Sequence, residues 1–360
     1  MKNLVTEINN VAVDAEAIQI FNTSKQYKQQ LLALIGQAQQ RVYITALYLQ
    51  DDDAGREILN ALYQAKQQRP NLDIKIFVDA HRAQRGLIGE KQQLGNRAMY
   101  LKYAQKFEPQ IDVYGVSVKN KEVFGVLHLK GMVFDDTLFY TGASINNIYL
   151  HQDDKYRLDR YYQIKSKPLA DSFCNYNQDV FVDSGLAPLL NNGEFPAPPA
   201  HKKLIHKLKH YLHKTSYKVS DQGQAEDGDI LISPFVGFGR RKNQLNSQIR
   251  QVIKMAQEEL VIFTPYFNLP KVLTRDIAKA LKRGVKVTIT IGDKTANDFY
   301  IADQDKFNTI GAIPYIYEIL LVRFVKRWKK FIDKELLEIR LWKDGHNSYH
   351  LKGLIADQTH

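Results

Sequence analysis

The sequence contains very little cysteine and no long apolar segment. Cys174 is the only cysteine among 360 residues, which excludes an internal disulfide and a thiolate cluster for zinc. We expect it to be a buried, unreactive side chain. The strongest apolar run, Tyr317–Val325, is interrupted by Glu318 and Arg323 and is too short for a membrane span. The first ten residues lack the apolar region of a secretory signal, so we expect a cytoplasmic protein.

Positive charge, by contrast, is present in excess. The chain has 50 Lys and Arg residues against 39 Asp and Glu residues, which gives a net charge of +11. Such an excess attracts polyanions, and charge alone does not distinguish nucleic acid from anionic lipid. The apolar and charged contents of 44% and 25% are those of a globular protein, and the length favours about two domains.

Two segments about 220 residues apart share one order of predicted elements. In each, a helical pattern leads into a β-branched strand, then a second helix, then a strand that ends in aspartate. The first copy comprises Tyr27–Gln40, Val42–Tyr48, Gly55–Gln68 and Leu72–Asp79, and the second comprises Leu245–Glu258, Leu260–Phe267, Leu273–Arg283 and Val285–Asp293. This alternation predicts a duplicated α/β sandwich in which each copy has a largely central sheet.

The stretch between the copies is rich in turn and linker residues, with Pro-rich and Asn-Gly or Asp-Gly sequences between residues 190 and 229. We therefore predict a first domain over residues 1–185 and a connector with a basic amphipathic segment over 186–228. The second domain is placed over residues 229–360. The predicted fold class is α/β, as two duplicated α/β/α domains packed with pseudo-twofold symmetry and with an active site at their interface.

Each copy ends in the pattern H-x-K-x-x-x-x-D with glycine directly after the lysine. The first instance contains His128, Lys130 and Asp135, and the second contains His350, Lys352 and Asp357. If these segments are strands, histidine and lysine project to the same face because they lie two positions apart. Two imidazoles and two ammonium groups would then suit a phosphodiester, with lysines on the non-bridging oxygens and histidines as nucleophile and acid/base. Imidazole fits these roles because both of its protonation states are accessible near neutral pH.

The paired motif resembles that of the phospholipase D superfamily. Gly142–Asn146 resembles the G-S-x-x-N sequence that follows the motif in that family, with Ala143 in place of serine. By this resemblance, Ser144 and Asn146 support the phosphate site, and the six motif residues are the catalytic set. The resemblance implies no metal and no cofactor, since Lys130 and Lys352 supply the positive charge.

Further stretches resemble the bacterial phosphatidylserine synthase subgroup, namely Asp79–Gly89, Tyr149–Tyr161 and Ala312–Ile319. This resemblance implies phosphatidyl transfer from CDP-diacylglycerol to L-serine, with release of CMP. It implies a covalent phosphatidyl-histidine, for which we expect His128 as nucleophile and His350 as acid/base; the opposite assignment stays open.

The two copies differ after the motif. Asp159 lies 31 residues after His128, where a carboxylate of this superfamily could orient the imidazole through Nδ1. The corresponding position of the second copy would fall beyond His360. We expect from this that the chain is truncated, with an incomplete second half-site as the alternative.

Two basic amphipathic segments are candidates for contact with an anionic membrane surface. His201–Leu212 has an apolar stripe among lysines and histidines, and Tyr315–Lys334 combines aromatic and basic residues. In the second segment, the candidates for membrane contact are Arg323, Lys326, Arg327, Trp328, Lys329 and Lys330. Packing of either stripe on the domain core is the alternative. The expected location is cytoplasmic, peripherally associated with the inner membrane.

Three other functions remain open at this stage. A cardiolipin-synthase-like phosphatidyltransferase differs only in the acceptor alcohol, and a phospholipase D or nuclease-type phosphodiesterase uses the same paired motif. A non-enzymatic membrane-binding or ribosome-binding protein would have an incomplete second site. The expected partners are CDP-diacylglycerol, L-serine and an anionic membrane, with the ribosome as a further partner and no specific nucleic acid.

Overall fold

The structure, a computed structural model, describes residues 10–84, 95–118, 125–193, 195–196, 198–220, 223–239, 243–302 and 309–358. The chain divides into two compact units. Unit 1 comprises Met1–Gln152 and Arg160–Asn243, and unit 2 comprises Asp153–Asp159 and Gln244–His360. A short segment from the first half of the chain therefore belongs to the second unit.

Unit 1 is built on a seven-stranded sheet in the order β2-β9-β7-β6-β3-β4-β5, and β1 pairs separately with β10. Its strands are β1 (Val11–Val13), β2 (Ile18–Phe21), β3 (Arg41–Thr45), β4 (Asp73–Asp79), β5 (Asp112–Val116), β6 (Gly131–Phe134), β7 (Thr137–Thr141), β9 (Tyr161–Lys165) and β10 (Ile230–Ile232). Its helices are α1 (Ser24–Gln37), α2 (Asp53–Gln68), α3 (Ala80–Gln84), α4 (Gly95–Lys106), α5 (Lys167–Asn177), which continues as a π-helical turn over Gln178–Asp183, and α6 (Pro198–Leu212).

Unit 2 is built on a four-stranded sheet in the order β13-β12-β11-β15, with β8 and β14 forming a separate parallel pair. Its strands are β8 (Arg157–Leu158), β11 (Glu259–Thr264), β12 (Lys286–Gly292), β13 (Leu337–Trp342), β14 (Ser348–Tyr349) and β15 (Gly353–Ala356). Its helices are α7 (Gln244–Met255), α8 (Lys271–Arg283) and α9 (Ile313–Ile332).

The two sheets contain the same four-strand arrangement, which supports the duplication predicted from the sequence. In unit 1, β3, β4 and β5 run parallel and β6 pairs antiparallel with β3. In unit 2, β11, β12 and β13 run parallel and β15 pairs antiparallel with β11. The strand after each HxK sequence, β6 or β15, is thus held against the first strand of its copy.

Helices cover both faces of the unit 1 sheet because its central strands are apolar on both sides. Val42 and Ile44 of β3 pack into one core cluster with α1 and α2, whereas Tyr43 packs into the other with α5. The first helix begins with a capping box at Thr23, in which the hydroxyl accepts from the N–H of Gln26. The predicted α/β/α layering is therefore present in unit 1.

The stretch predicted as a connector, residues 186–228, groups with unit 1 in the structure, as do residues 229–243 at the start of the predicted second domain. Its basic helix α6 buries Ile205, Leu208 and Leu212, two of them in the unit 1 core. Such burial contributes about 1.5–3 kcal/mol per side chain. The apolar stripe of α6 is therefore core rather than a membrane contact, and the sequence pattern alone could not decide between the two.

Two predictions from composition can be compared with the structure. Cys174 is a buried free cysteine, and burial raises the pKa of its thiol to about 12, which keeps it unreactive. Among the described residues, no helix is both long and apolar enough to cross a membrane.

Candidate active site

The two HxK segments lie in loops directly before β6 and β15 rather than within strands. In unit 1 the alternation expected of a strand extends only over residues 127–129, because Lys130 is buried. Leu127 and Leu129 pack on the core while His128 between them is exposed to solvent. The strand prediction was wrong for these residues, because β6 and β15 begin only at the glycines that follow the lysines, Gly131 and Gly353.

In both copies the lysine turns back onto its own motif. Lys130 Nζ donates to the carbonyl oxygen of His128 at 3.3 Å, and Lys352 Nζ donates to that of His350 at 2.7 Å. This shared contact holds each ammonium group on the backbone carbonyl of its histidine. Each unit therefore carries a half-site of one histidine and one lysine.

The glycine after Lys130 is required by close packing. Gly131 has φ of +137°, and a Cβ atom placed there would lie 2.5 Å from Cε1 of Phe173 on α5. Gly353 in the second copy is less constrained, since its nearest neighbour would be 3.6 Å away, in the ring of Phe263. The shared glycine thus has a structural reason in unit 1.

The aspartates of the two motifs bind backbone rather than substrate. Asp135 accepts from the N–H groups of Gln39, Gln40 and Arg41 at 2.8, 2.7 and 3.1 Å. The carboxylate of Asp357 likewise accepts from the N–H groups of residues 257, 258 and 259, and both aspartates have φ of 52°.

Each of these aspartates anchors the turn between the first helix and first strand of its copy. The prediction that Asp135 and Asp357 are catalytic is therefore corrected. The carboxylate of each accepts from three backbone N–H groups, and each aspartate directly follows β6 or β15, at the end of the strand that is far from the histidine. The spacing shared by the two motifs is explained by a strand of four residues between the lysine and this anchor.

Asp79 supports the first half-site and was not assigned a role from the sequence. It is fully buried at the end of β4, and its Oδ2 accepts from the N–H of Leu127 at 2.7 Å. Its Oδ1 accepts from the N–H groups of His81 and Arg82 at the start of α3. A strand that ends in aspartate was visible in the sequence, and this capping role is its reason.

Ser144 and Asn146 lie buried on the loop after β7 in unit 1. The side-chain oxygen of Asn146 accepts from the N–H of Tyr149 at 3.0 Å, and its amide donates to the Tyr48 hydroxyl at 3.4 Å. Asn146 therefore shapes this loop, and a direct contact of either residue with phosphate remains a prediction.

The second half-site contains a buried histidine–carboxylate pair. His350 and Asp159 are each about 6% exposed, and His350 Nδ1 lies 2.8 Å from Asp159 Oδ2. The expectation that Asp159 serves the imidazole of its own copy is thus corrected, since the carboxylate lies on His350 in unit 2. Sequence distance suggested His128, but the segment 153–159 joins the second unit.

This pair sets the tautomer of His350. A carboxylate only accepts, so Nδ1 must carry the proton and Nε2 keeps a lone pair. Lys352 Nζ lies 2.9 Å from both ring nitrogens, and only Nε2 is able to accept from it. When the imidazole is neutral, its lone pair is therefore at Nε2.

Burial lowers the pKa of Lys352 to about 8, while the nearby carboxylates Asp159 and Asp298 act in the opposite direction. The residue as a whole is exposed to solvent, and its ammonium end contacts His350, whose side chain is buried. At pH 7 the group is still a cation that can bind a phosphate oxygen.

The residues of α9 named as membrane contacts divide into two sets. Arg323, Lys326, Arg327, Lys329 and Lys330 are exposed. Trp328 instead packs against the unit 2 core, with its ring 5.9 Å from that of Phe331 and 6.5 Å from that of Phe324. Trp328 is therefore half-buried against this core, and its contact with a membrane stays a prediction; a pattern of mixed aromatic and basic residues did not reveal which rings pack inward.

Comparison with known proteins agrees with this geometry. A family model described as "Cardiolipin synthase, PLD-like domain" matches residues 31–171 and 249–360. CDP-diacylglycerol–serine O-phosphatidyltransferases from Escherichia coli and Haemophilus influenzae are each 41% identical to the chain, over 98% and 100% of its length and 78% and 80% of theirs.

A solved structure extends the comparison to three dimensions. The crystal structure of phosphatidylserine synthase from Haemophilus influenzae matches with a TM-score of 0.91 and 40% identity, covering 98% of this chain and 79% of that one. Together with the duplicated sheet and the two histidine–lysine half-sites, these matches establish the family. The chain belongs to the phospholipase D superfamily and, within it, to the bacterial CDP-diacylglycerol–serine O-phosphatidyltransferases.

Proposed function

We propose that the protein transfers the phosphatidyl group of CDP-diacylglycerol to L-serine and releases CMP. The observation that carries this proposal is the buried His350–Asp159 pair beside Lys352, in a chain whose relatives bear that enzyme name. A histidine with a fixed tautomer is a general base, and serine brings a hydroxyl from which a base must remove a proton.

The transfer proceeds in two steps. In the first, a histidine nitrogen attacks the phosphorus bonded to the diacylglycerol, and the bond from that phosphorus to the CMP oxygen breaks. In the second, the serine hydroxyl attacks the phosphatidyl-histidine, its proton passes to the other histidine and the P–N bond breaks. Lys130 and Lys352 stabilise the charge on the non-bridging oxygens.

We assign His128 as the nucleophile and His350 as the acid/base group. His128 is exposed, as a residue that becomes covalently bound to a lipid phosphate must be. His350 is buried and held by a carboxylate, which suits repeated gain and loss of a proton. CMP leaves as a phosphate, so its departure needs less help from an acid than serine needs from a base.

The exposed face of α9 supports docking on an anionic membrane surface. Along its first half this face presents Ile316, Ile319, Leu320 and Val322, each at least 38% exposed. Along its second half the same face presents the five exposed basic residues of the preceding subsection. We propose that the apolar half enters the lipid while the basic half binds headgroups, at about 1 kcal/mol per cation.

The test measures CMP release and phosphatidylserine formation from CDP-diacylglycerol in mixed micelles, with and without L-serine. His128→Ala should abolish both products. His350→Ala should slow transfer to serine by about 100-fold or more while retaining the first release of CMP, because general-base catalysis contributes about that factor. His210→Ala, an exposed histidine on α6, is the matched control and should behave as wild type.

Several results would contradict the proposal. Serine-stimulated CMP release that persists in His128→Ala would exclude His128 as nucleophile. Turnover of bis-p-nitrophenyl phosphate without lipid, together with no serine product, would favour a phosphodiesterase, and glycerol-containing acceptors replacing serine would favour a cardiolipin-synthase-like enzyme. If the protein does not bind anionic vesicles in sedimentation, the docking of α9 on a membrane would be overturned, but the enzymatic proposal would not.

A further inference from the structure

A line of contacts in unit 2 connects helix α9 to the His350–Asp159 pair. The ring of Tyr317 on α9 stacks on that of Tyr266, with centroids 5.3 Å apart and an interplanar angle of 18°. The Tyr266 hydroxyl donates to Asp298 Oδ2 at 2.7 Å. Asp298 Oδ1 lies 2.8 Å from Nη2 of Arg157, in an ion pair whose side chains are 15% and 10% exposed.

Arg157 lies two residues before Asp159, on the strand that carries this carboxylate to His350. Its Nε donates to the Ser348 hydroxyl at 3.1 Å, and β8 pairs in parallel with β14. The N–H of His350 donates to the carbonyl of Leu158 at 2.8 Å. These hydrogen bonds therefore hold the segment that carries His350 against the segment that carries Arg157 and Asp159.

Each charge along this line is nearly buried, so each depends on its neighbour. An ion pair at this depth is strongly destabilised when one partner is removed, because the other charge is left without compensation. Asp298 accepts a hydrogen bond from Tyr266 and forms an ion pair with Arg157, and without it the guanidinium would have to move toward water or toward Asp159. Either movement would shift the carboxylate that fixes the tautomer of His350.

We propose that Arg157, Asp298 and Tyr266 are positioning residues for the His350–Asp159 pair, with Tyr317 of α9 as their outer support. This inference rests on the proposed role of His350 as the base for serine. None of the four residues has to touch the substrate. Their effect is expected on the step that uses His350 and not on the binding of either substrate.

The test compares the two chemical steps in Asp298→Asn, Tyr266→Phe and Tyr317→Ala. Transfer to serine should fall about ten-fold in kcat in the first two variants, since Asp298→Asn removes the charge of the ion pair with Arg157 and Tyr266→Phe removes the hydrogen bond to Asp298. KM for CDP-diacylglycerol and serine, and the first release of CMP, should stay as in wild type. The variants would thus lose rate in the same step as His350→Ala, to a smaller extent, and would not lose both products as His128→Ala does. Transfer to serine should also slow in Tyr317→Ala, which loses the stacked ring. Tyr317→Phe, which keeps the ring, should retain the wild-type rate.

A second measurement separates this inference from the proposed function. The proton on His350 Nδ1, held by Asp159, should give a downfield NMR signal that is absent in His350→Ala. We expect that signal to weaken or disappear in Asp298→Asn and to persist in Tyr317→Phe, whether or not the protein makes phosphatidylserine. An unchanged signal with unchanged kcat in Asp298→Asn would overturn the inference, as would equal losses in both chemical steps.

If wild type formed no phosphatidylserine while the NMR signal responded as described, the proposed function would fail and the positioning role would stand. If wild type were active and His350→Ala lost the serine step, but all three variants kept full kcat, the function would stand and the positioning role would fail. A variant that unfolds is replaced by Arg157→Lys, which keeps the charge but loses the fork that contacts both Asp298 and Ser348.

Discussion

The aspartate of the first HxK motif is expected to govern stability, and Asp135→Ala tests this. The substitution removes the acceptor of three backbone N–H groups, two of which belong to exposed residues and can turn to water instead. Because the lost acceptor is charged, we expect the free energy of unfolding to fall by about 2–3 kcal/mol. Alanine at φ of 52° adds about 1 kcal/mol, because it lacks the short polar side chain whose local hydrogen bonds let aspartate adopt the left-handed region.

The total of about 3–4 kcal/mol corresponds to a fall of about 10 °C in the melting temperature of unit 1. Differential scanning calorimetry measures this fall, and the specific activity of the folded protein is measured well below the transition. Asp135→Asn should lose roughly half as much, since it keeps one acceptor oxygen and tolerates positive φ. An Asp135→Ala protein with an unchanged melting temperature but no turnover would refute the structural role and indicate a catalytic role for this carboxylate.

Two further predictions concern the neighbouring motif residues. The pKa of Lys352 is lowered to about 8, so the cation is lost as the pH rises through that value and the transfer rate should fall there. In Lys352→Arg the fall in transfer rate should occur at a higher pH, since a guanidinium keeps its proton across a rate profile measured from about pH 6 to pH 10. If the rate still falls at the same pH, the fall belongs to another group. Gly131→Ala should destabilise unit 1 by about 1–3 kcal/mol, because its Cβ would meet Phe173 at 2.5 Å. Gly353→Ala is the matched control in a denaturation series, and equal losses in the two variants would contradict the packing explanation.

The duplication could be predicted from the sequence because both signals on which it depends are local. Continuous apolar strands such as β3 and period-3.6 helices such as α1 follow from the pattern of apolar residues, and the HxK pairs repeat at nearly the same interval. These features predicted the α/β class, the two copies and the four charged groups of the half-sites. The helices and strands of both copies begin and end within a few residues of the predicted bounds.

What the sequence could not supply is the choice among partners at long range. Asp159 lies closer along the chain to His128, and its place on His350 depends on β8 pairing with β14, which are about 190 residues apart. Two-residue strands have no pattern of their own. Similarly, Trp328 and the apolar stripe of α6 could face either core or lipid, and only the packing partners decide this.

The membership of Asp153–Asp159 in unit 2 has a consequence for how the two copies can be separated. A single cut in the chain cannot yield two complete halves, because the fragment from Gln244 onward would leave the carboxylate of His350 behind. Each half of such a cut protein would have to be expressed together with the other to recover the histidine–carboxylate pair.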